Sequence, residues 1–201
     1  ELPGRLETVL RAIYLIFNEG YMASAGAVAL RAELTAEAIR LGRLLVALLP
    51  DPEALGLLAL MLLHDSRRAA RLSGDGAVIL LTDQDRSRWD GSRRAEGLVF
   101  LGRAYATGEI GSYGLQAAIA AVHAEAESAD TTDWRRIVTL YDLLLKADPS
   151  PVVALNRAAA IAMRDGPAMG LAAVDTVLAG GELDGYSFAH ATRAELLFRL
   201  G

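Results

Sequence analysis

The apolar positions of this chain recur with a helical period almost from end to end. Leu6, Val9, Leu10, Ile13, Tyr14 and Phe17 form one stripe at the spacing of an amphipathic helix. Asn18, Glu19 and Gly20 are expected to end that helix, with Gly20 in the left-handed conformation that closes helices. Leu34, Ile39, Leu41, Leu44, Leu45 and Leu48 predict a second helix over about 34–49. "PDPEALG" then signals a third start: Asp51 can cap, Pro52 suits the first turn and Glu53 complements the helix dipole. This helix, about 52–70, is apolar nearly all round at first and is therefore predicted to be central.

One stretch breaks the pattern. In "SGDGAVILLTD", turn residues precede and follow "AVILL", a β-branched apolar run too short for a helix, which predicts a short extended segment at 77–82. The chain then enters the densely charged "TDQDRSRWDGSRR", which encloses a single Trp89. Helices resume over about 84–106, and further helical patterns cover about 113–127, 134–147, 151–164, 167–179 and 186–200. The breaks between them, "SADTTD", "DPSP", "RDGP" and "GGELDG", are made of residues that cap and terminate helices. In "RDGP", Gly166 can close one helix and Pro167 open the next, and Pro149 and Pro151 can do the same one break earlier.

"ALNRAAAIAMRDG" and "HATRAELLFRLG" both place Arg-Ala before small and apolar residues, and "TDWRRIVTLYDLLLKADPS" resembles the second helix of a tetratricopeptide (TPR) hairpin. Such repeats have a period of about 34 residues. The fold predicted is all-α: nine or ten helices in antiparallel hairpins, with a helical layer over 1–110 and a TPR-like, right-handed stack over 111–201, the two sharing one core as a single domain.

Composition narrows the functional classes. At 201 residues, 53% of them hydrophobic, the chain can bury a sizeable core. Its net charge of -5 does not suit a free-standing nucleic-acid binder. Cysteine is absent, which excludes disulfides and thiolate metal sites and fits a reducing cytoplasm. The longest apolar run, Leu55–Leu63, falls well short of the about 20 residues that cross a bilayer, so no membrane association is expected. The start lacks the pattern of a secretion signal, and opening on Glu1 without Met suggests a piece of something longer. Lys146 is the single lysine, so the basic charge is almost wholly arginine, a bias of composition rather than of recognition.

Candidate chemistry is sparse. His64, His123 and His190 share no short-range ligand spacing and are expected to play unrelated structural or surface roles. Neither a GxxxxGK[ST] nor a GxGxxG phosphate loop occurs. No metal site and no cofactor are expected. "NEGY" reads as a helix stop, or as a polar ligand contact beside an aromatic. "LLHDSRRAARL" reads as the solvated end of a core helix, where basic residues complement the dipole, or as an anion site built on Arg67, Arg68 and Arg71. Asp83 and Asp85 could serve acid–base or metal chemistry, but only with partners converging from elsewhere. The alternative is a structural joint: Asp83 or Asp85 caps the next helix, Arg86 and Arg88 pair with Asp83, Asp90 or the Asp65 region, and Trp89 buries its rings. Such a joint would tie the front helices to the TPR-like half.

Taken in order, "VLRAIYLIFNEGY", "EAIRLGRLL", "LGLLALMLLHDSRRAAR", "LLTDQDRSRWD", "LQAAIAAVHAEA", "DWRRIVTLYDLLL", "PSPVVALNRAAAIA" and "HATRAELLFRLG" resemble the carboxy-terminal extension of one group of extracytoplasmic-function RNA polymerase sigma factors, which carry a TPR-like domain after their DNA- and polymerase-binding modules. The resemblance covers nearly the whole chain. It implies a non-catalytic, cytoplasmic regulatory domain of a bacterial transcription initiation factor. Its partners would be the factor's own DNA-binding modules and core RNA polymerase, with promoter DNA reached only through modules absent here. It identifies no catalytic residue. Asn18, Glu19, Tyr21, Arg67, Arg68, Asp83, Gln84, Asp85, Arg86 and Trp89 are the candidates for an interaction surface, and equally for internal staples of the fold. Two other readings stand beside this one: a TPR-like peptide-binding scaffold of another cytoplasmic protein, and a small-molecule sensor or hydrolase centred on Asp83, Asp85 and His64.

Overall fold

A computed structural model of the chain describes residues 2–22, 28–73 and 77–201. It is all-α. Among the described residues there are nine α-helices: α1 (Leu2–Met22), α2 (Val28–Leu48), α3 (Pro52–Ser66), α4 (Gly91–Ala106), α5 (Ser112–Glu125), α6 (Trp134–Ala147), α7 (Pro151–Asp165), α8 (Pro167–Leu178) and α9 (Ser187–Phe198). Three single 3-10 turns, Arg68–Ala70, Leu81–Asp83 and Arg86–Arg88, lie between α3 and α4. The chain divides into two compact units, Glu1–Thr132 and Asp133–Gly201.

In the first unit α3 packs against α1, α2, α4 and α5. Leu55, Leu57, Leu58, Leu60, Met61, Leu62 and Leu63 are all buried, as an all-round apolar helix requires. Its start follows the sequence signal: Asp51 Oδ1 accepts the Glu53 N–H at 2.8 Å, and Pro52 occupies the first turn. Glu53 does more than complement its own helix. Its carboxylate reaches across to the start of α5, accepting the N–H groups of Tyr113 (3.3 Å) and Gly114 (3.4 Å). The two helices meet there backbone to backbone, since a Cβ on Gly56 would lie 2.5 Å from the Gly114 nitrogen. So α5, which the sequence grouped with the repeats from 111 onward, belongs to the first compact unit.

Three local expectations are corrected. The first helix does not stop at Gly20, which is buried inside α1 and has no positive φ. Tyr21 stacks on Phe17 one turn earlier, ring centroids 5.2 Å apart, and this contact carries the helix on to Met22. Within the apolar stripe Val9 faces solvent, as do Leu44 and Leu48 of α2, while Leu10, Ile13, Phe17, Ala38 and Ile39 fill the core. The segment expected to be extended over 77–82 is so only to Leu80: Val78 forms an isolated antiparallel bridge with Leu72, and then the Asp83 N–H bonds the Leu80 carbonyl at 2.9 Å and closes a 3-10 turn. The turn expected at Gly74, Asp75 and Gly76 lies outside the described residues.

In the second unit α6 packs on α7, α7 on α8 and α8 on α9. Leu155, Ala158, Ala162, Val174, Leu183, Ala189 and Leu196 form its core. Gly166 has φ +96 and is the one residue between α7 and α8, and Pro167 opens α8, as "RDGP" suggests. Gly170 lies so close to Ala162 that no Cβ fits between them. Two ion pairs repeat: Arg157 of α7 bonds Asp142 of α6 at 2.6 Å, and Arg193 of α9 bonds Asp175 of α8 at 2.7 Å. The two "Arg-Ala" words of the sequence thus place their arginines in the same role, each tied to an aspartate of the preceding helix.

Candidate functional site

Most of the residues singled out in the sequence gather at the end of α3; Asn18, Glu19, Asp83 and His190 do not. This helix delivers His64, Asp65 and Ser66 in its last turn, followed by Arg67, Arg68 and Arg71 in and beside the first 3-10 turn. Asp65 is buried and paired with two arginines: Arg68 Nε bonds Oδ1 at 2.7 Å, and Arg93 from α4 forms an ion pair on the Oδ2 side. A buried carboxylate so far from bulk water needs such partners. The Asp90 N–H bonds the Ser66 carbonyl at 2.7 Å, while Asp90 Oδ1 caps α4 through the Arg93 N–H at 3.0 Å. Asp90, not Asp83 or Asp85, starts that helix.

"DQDRSRW" is a joint. Gln84 is buried and donates from Nε2 to the Ile79 carbonyl at 3.1 Å. Asp85 caps the 3-10 turn, accepting from the Ser87 N–H (3.0 Å) and hydroxyl (2.6 Å), and these bonds hold its carboxyl below the usual range. Among the described residues Arg86 pairs with no carboxylate. Its guanidinium donates to the carbonyls of His123 and Ala126 (2.8 Å to the latter), at the end of α5, and lies 4.8 Å from the Trp89 ring centre. Carbonyls at a helix end lack intrahelical donors and carry the negative end of the dipole, so an arginine suits them. Arg94 adds a bond to the Ala124 carbonyl at 3.3 Å. Trp89 is buried, 8% exposed. The joint ties α3, α4 and α5 within the first unit, rather than tying the front helices to the repeats. Asp83 is exposed, and its carboxylate accepts from the hydroxyl of its neighbour Thr82 at 3.3 Å.

Tyr21 completes the cluster from α1. Arg71 lies over its ring, 3.9 Å from the centroid, and donates to its carbonyl at 2.6 Å. The Tyr21 ring sits 5.6 Å from that of His64, and Arg67 Nη2 lies 3.1 Å from His64 Nδ1. A guanidinium has only donors, so Nδ1 accepts and His64 is the neutral Nε2–H tautomer. Burial, then the positive charges of Arg67 and Arg71 and the neighbouring His123, hold the His64 pKa well below its ordinary value. His123 is pushed down to about 4 by burial and by Arg67 and Arg86. These two histidines, expected to be unrelated, thus share the charge of Arg67; His190 lies in the second unit, 2.8 Å from the Asp184 carbonyl. Of "NEGY", Glu19 is exposed and Asn18 bonds the Tyr14 side chain, so only Tyr21 reaches the cluster.

Arg93, Arg94 and His123 are the cluster members that the sequence did not nominate, and Asp65 was expected to pair with Arg86 or Arg88 but pairs with Arg68 and Arg93. Only Asp65 carried a signal, an acid three residues before Arg68 at the end of an apolar helix. Among the described residues no group of three or more His, Asp or Glu side chains could hold a metal ion. No described helix is long and apolar enough to cross a membrane.

Fold and site together define an all-helical protein whose charged motif is consumed in holding three helices together. The chain belongs to a family of unknown function (DUF6596), whose model matches residues 5–105, from α1 to the end of α4. It is similar to the uncharacterized protein R00370 of Rhizobium meliloti (strain 1021), 48% identical over 198 residues, which are 98% of this chain and 46% of that protein. The chain therefore spans less than half the length of this relative. No solved structure matches it.

Proposed function

We propose that the chain is the non-catalytic, regulatory and protein-interaction extension of a bacterial alternative sigma factor of the extracytoplasmic-function type, working in the cytoplasm at transcription initiation. The observation that carries the reading is the fate of "DQDRSRW". Its acids cap a turn or face solvent, its arginine clamps a helix end, and its tryptophan is buried. A motif spent on a joint fits a scaffold better than a reaction centre. Two further facts support it. The repeated Asp–Arg pairs of α6/α7 and α8/α9 suit TPR-like hairpins, which present surfaces to protein partners. More than half of the Rhizobium relative lies outside the matched region, room enough for modules that bind DNA and polymerase.

The partners are the factor's own DNA-binding modules and, through the whole protein, core RNA polymerase. With a net charge of -5 the domain does not compete for promoter phosphates, and it can cover a basic DNA-binding module in an off state. Deleting residues 1–201 from the full-length factor tests the proposal, with promoter output as the readout; unchanged output refutes it. The masking step is tested by adding this domain in trans to a truncated factor: DNA binding weakens, and weakens more at low salt.

A further inference from the structure

We propose that α9 docks on α9 of a second copy of this chain, antiparallel across a two-fold axis level with Arg193. The inference goes beyond the sigma-factor reading and does not rest on it.

The surface lies wholly within the second unit. At about 3.6 residues per turn, positions 188, 191, 194, 195 and 198 share one side of α9. All five are exposed, while Ala189 and Leu196 turn the other side into the core of the unit. Phe188 is 61% exposed and Phe198 82%. A single exposed apolar side chain is ordinary, but two phenylalanines at the ends of one stripe, with the small Ala191 and Ala194 between them, make a shaped apolar surface. Tyr186 packs on the core and backs the Phe188 ring, centroids 5.6 Å apart.

The occupant follows from the symmetry of the stripe. Phe188 stands as far before Arg193 as Phe198 stands after it. An antiparallel copy of α9 therefore sets Phe198 against Phe188 of the second copy, and the reverse, as an isologous contact requires. A foreign helix would need no such symmetry. The alanines fall between the two aromatic pairs, where small side chains let helix axes approach. Arg193 points away from the axis, bonded to Asp175 of α8 at 2.7 Å. Glu195, the charge on this side, lies one turn before Arg199, in the position of the polar rim that interfaces carry. Leu197, 42% exposed, borders the stripe beside Ala194. Counting about 200 Å² for a bare large side chain, these groups offer roughly 400 Å² of apolar surface. At about 60% apolar, that is an interface of roughly 650 Å² per copy, the size of a reversible dimer rather than a permanent one.

The test is sedimentation equilibrium of the full chain from about 10 μM to about 1 mM, the range of a weak interface. A monomer–dimer equilibrium is expected, little weakened by added salt because the contact is apolar. Phe198→Asp weakens the dimer by about thirtyfold or more, the loss of an aromatic anchor, while Val99→Asp, exposed on α4 of the first unit, leaves it unchanged. Cross-linking gives an independent readout should F198D fail to fold. The chain has no cysteine, so Ala194→Cys, beside the axis, yields a disulfide-linked dimer on mild oxidation, and Ala95→Cys, exposed on α4, does not. A chain that stays monomeric throughout, a dimer that F198D leaves intact, or cross-linking no faster through A194C than through A95C would each overturn the proposal. So would a longer polypeptide containing this chain that stays monomeric where the chain alone dimerises, since the face would then belong to its flanking segments. Because neither polymerase nor promoter enters these assays, their failure leaves the sigma-factor reading standing, and the reverse holds too.

Discussion

Arg86 offers the sharpest measurement of the joint. Replacing it with Gln removes two bonds to the carbonyls that end α5 and the cation over Trp89. A hydrogen bond to a charged group contributes about 1.5–3 kcal/mol net, and an arginine over tryptophan about 0.5–1 kcal/mol at an open site. Arg86 is only partly buried, so water can reach the abandoned carbonyls and the lower end of each range applies. The expected loss is about 3.5 kcal/mol, a large share of the roughly 5–15 kcal/mol that holds a domain of this size. Urea unfolding followed by Trp89 fluorescence, in a Trp134→Phe background, reports on the first unit alone, since Trp134 lies in the second. The midpoint should fall with little change in slope. Hydrogen exchange should quicken first in the last turn of α5, where the clamp acts. Arg88→Gln, exposed, should stay within about 0.5 kcal/mol of the parent. If R86Q unfolds at the parent's urea concentration, "DQDRSRW" is not what binds α5.

Two further outcomes follow from other features. Gly166 combines φ +96 with ψ 163, a region open essentially to glycine alone, so Gly166→Ala should cost about 1–3 kcal/mol and lower the melting temperature of the second unit; an unchanged melting curve would refute the strain. His123 is neutral in the fold because its pKa stands at about 4 against an ordinary value of 6.5. A base with a depressed pKa leaves the unfolded chain binding more protons, so its contribution is complete above about 6.5 and is lost as pH falls towards 4. His123→Gln should flatten the stability profile across that window, as measured by urea unfolding at a series of pH values.

Helix signals that rest on backbone chemistry were legible in the sequence. Asp51 and Pro52 start α3, Gly166 and Pro167 make the one-residue link, and the unbroken apolar run puts α3 at the centre, because each residue acts through its own backbone or its own burial. Gly20 misleads for the same reason in reverse: a glycine closes a helix only when nothing beyond it favours continuing, and Tyr21 stacked on Phe17 does favour it. The cluster was half legible. Arg67, Arg68, Gln84, Arg86 and Trp89 stand out as residue types, but their partners do not. Sequence reasoning seeks an acid for each arginine, whereas Arg86 uses carbonyl oxygens, which every residue has. Asp65 finds Arg93 across an intervening loop, and His123 arrives from a helix with no chemical signal of its own. The Glu53 carboxylate at the start of α5 was hidden likewise, since its backbone donors belong to no residue type.

The bare crossing of Gly56 and Gly114 gives the first unit a fulcrum. With no side chain between the two backbones, a single methyl there must wedge α5 away from α3. From Gly114 to Ala124 the helix runs about 15 Å, so a slight tilt at the crossing swings its far end through a larger arc. That far end is where Arg86 and Arg94 take hold and where His123 meets the arginines. A side chain added at the glycine contact would therefore be felt most where Arg86 and Arg94 grip the opposite end of α5.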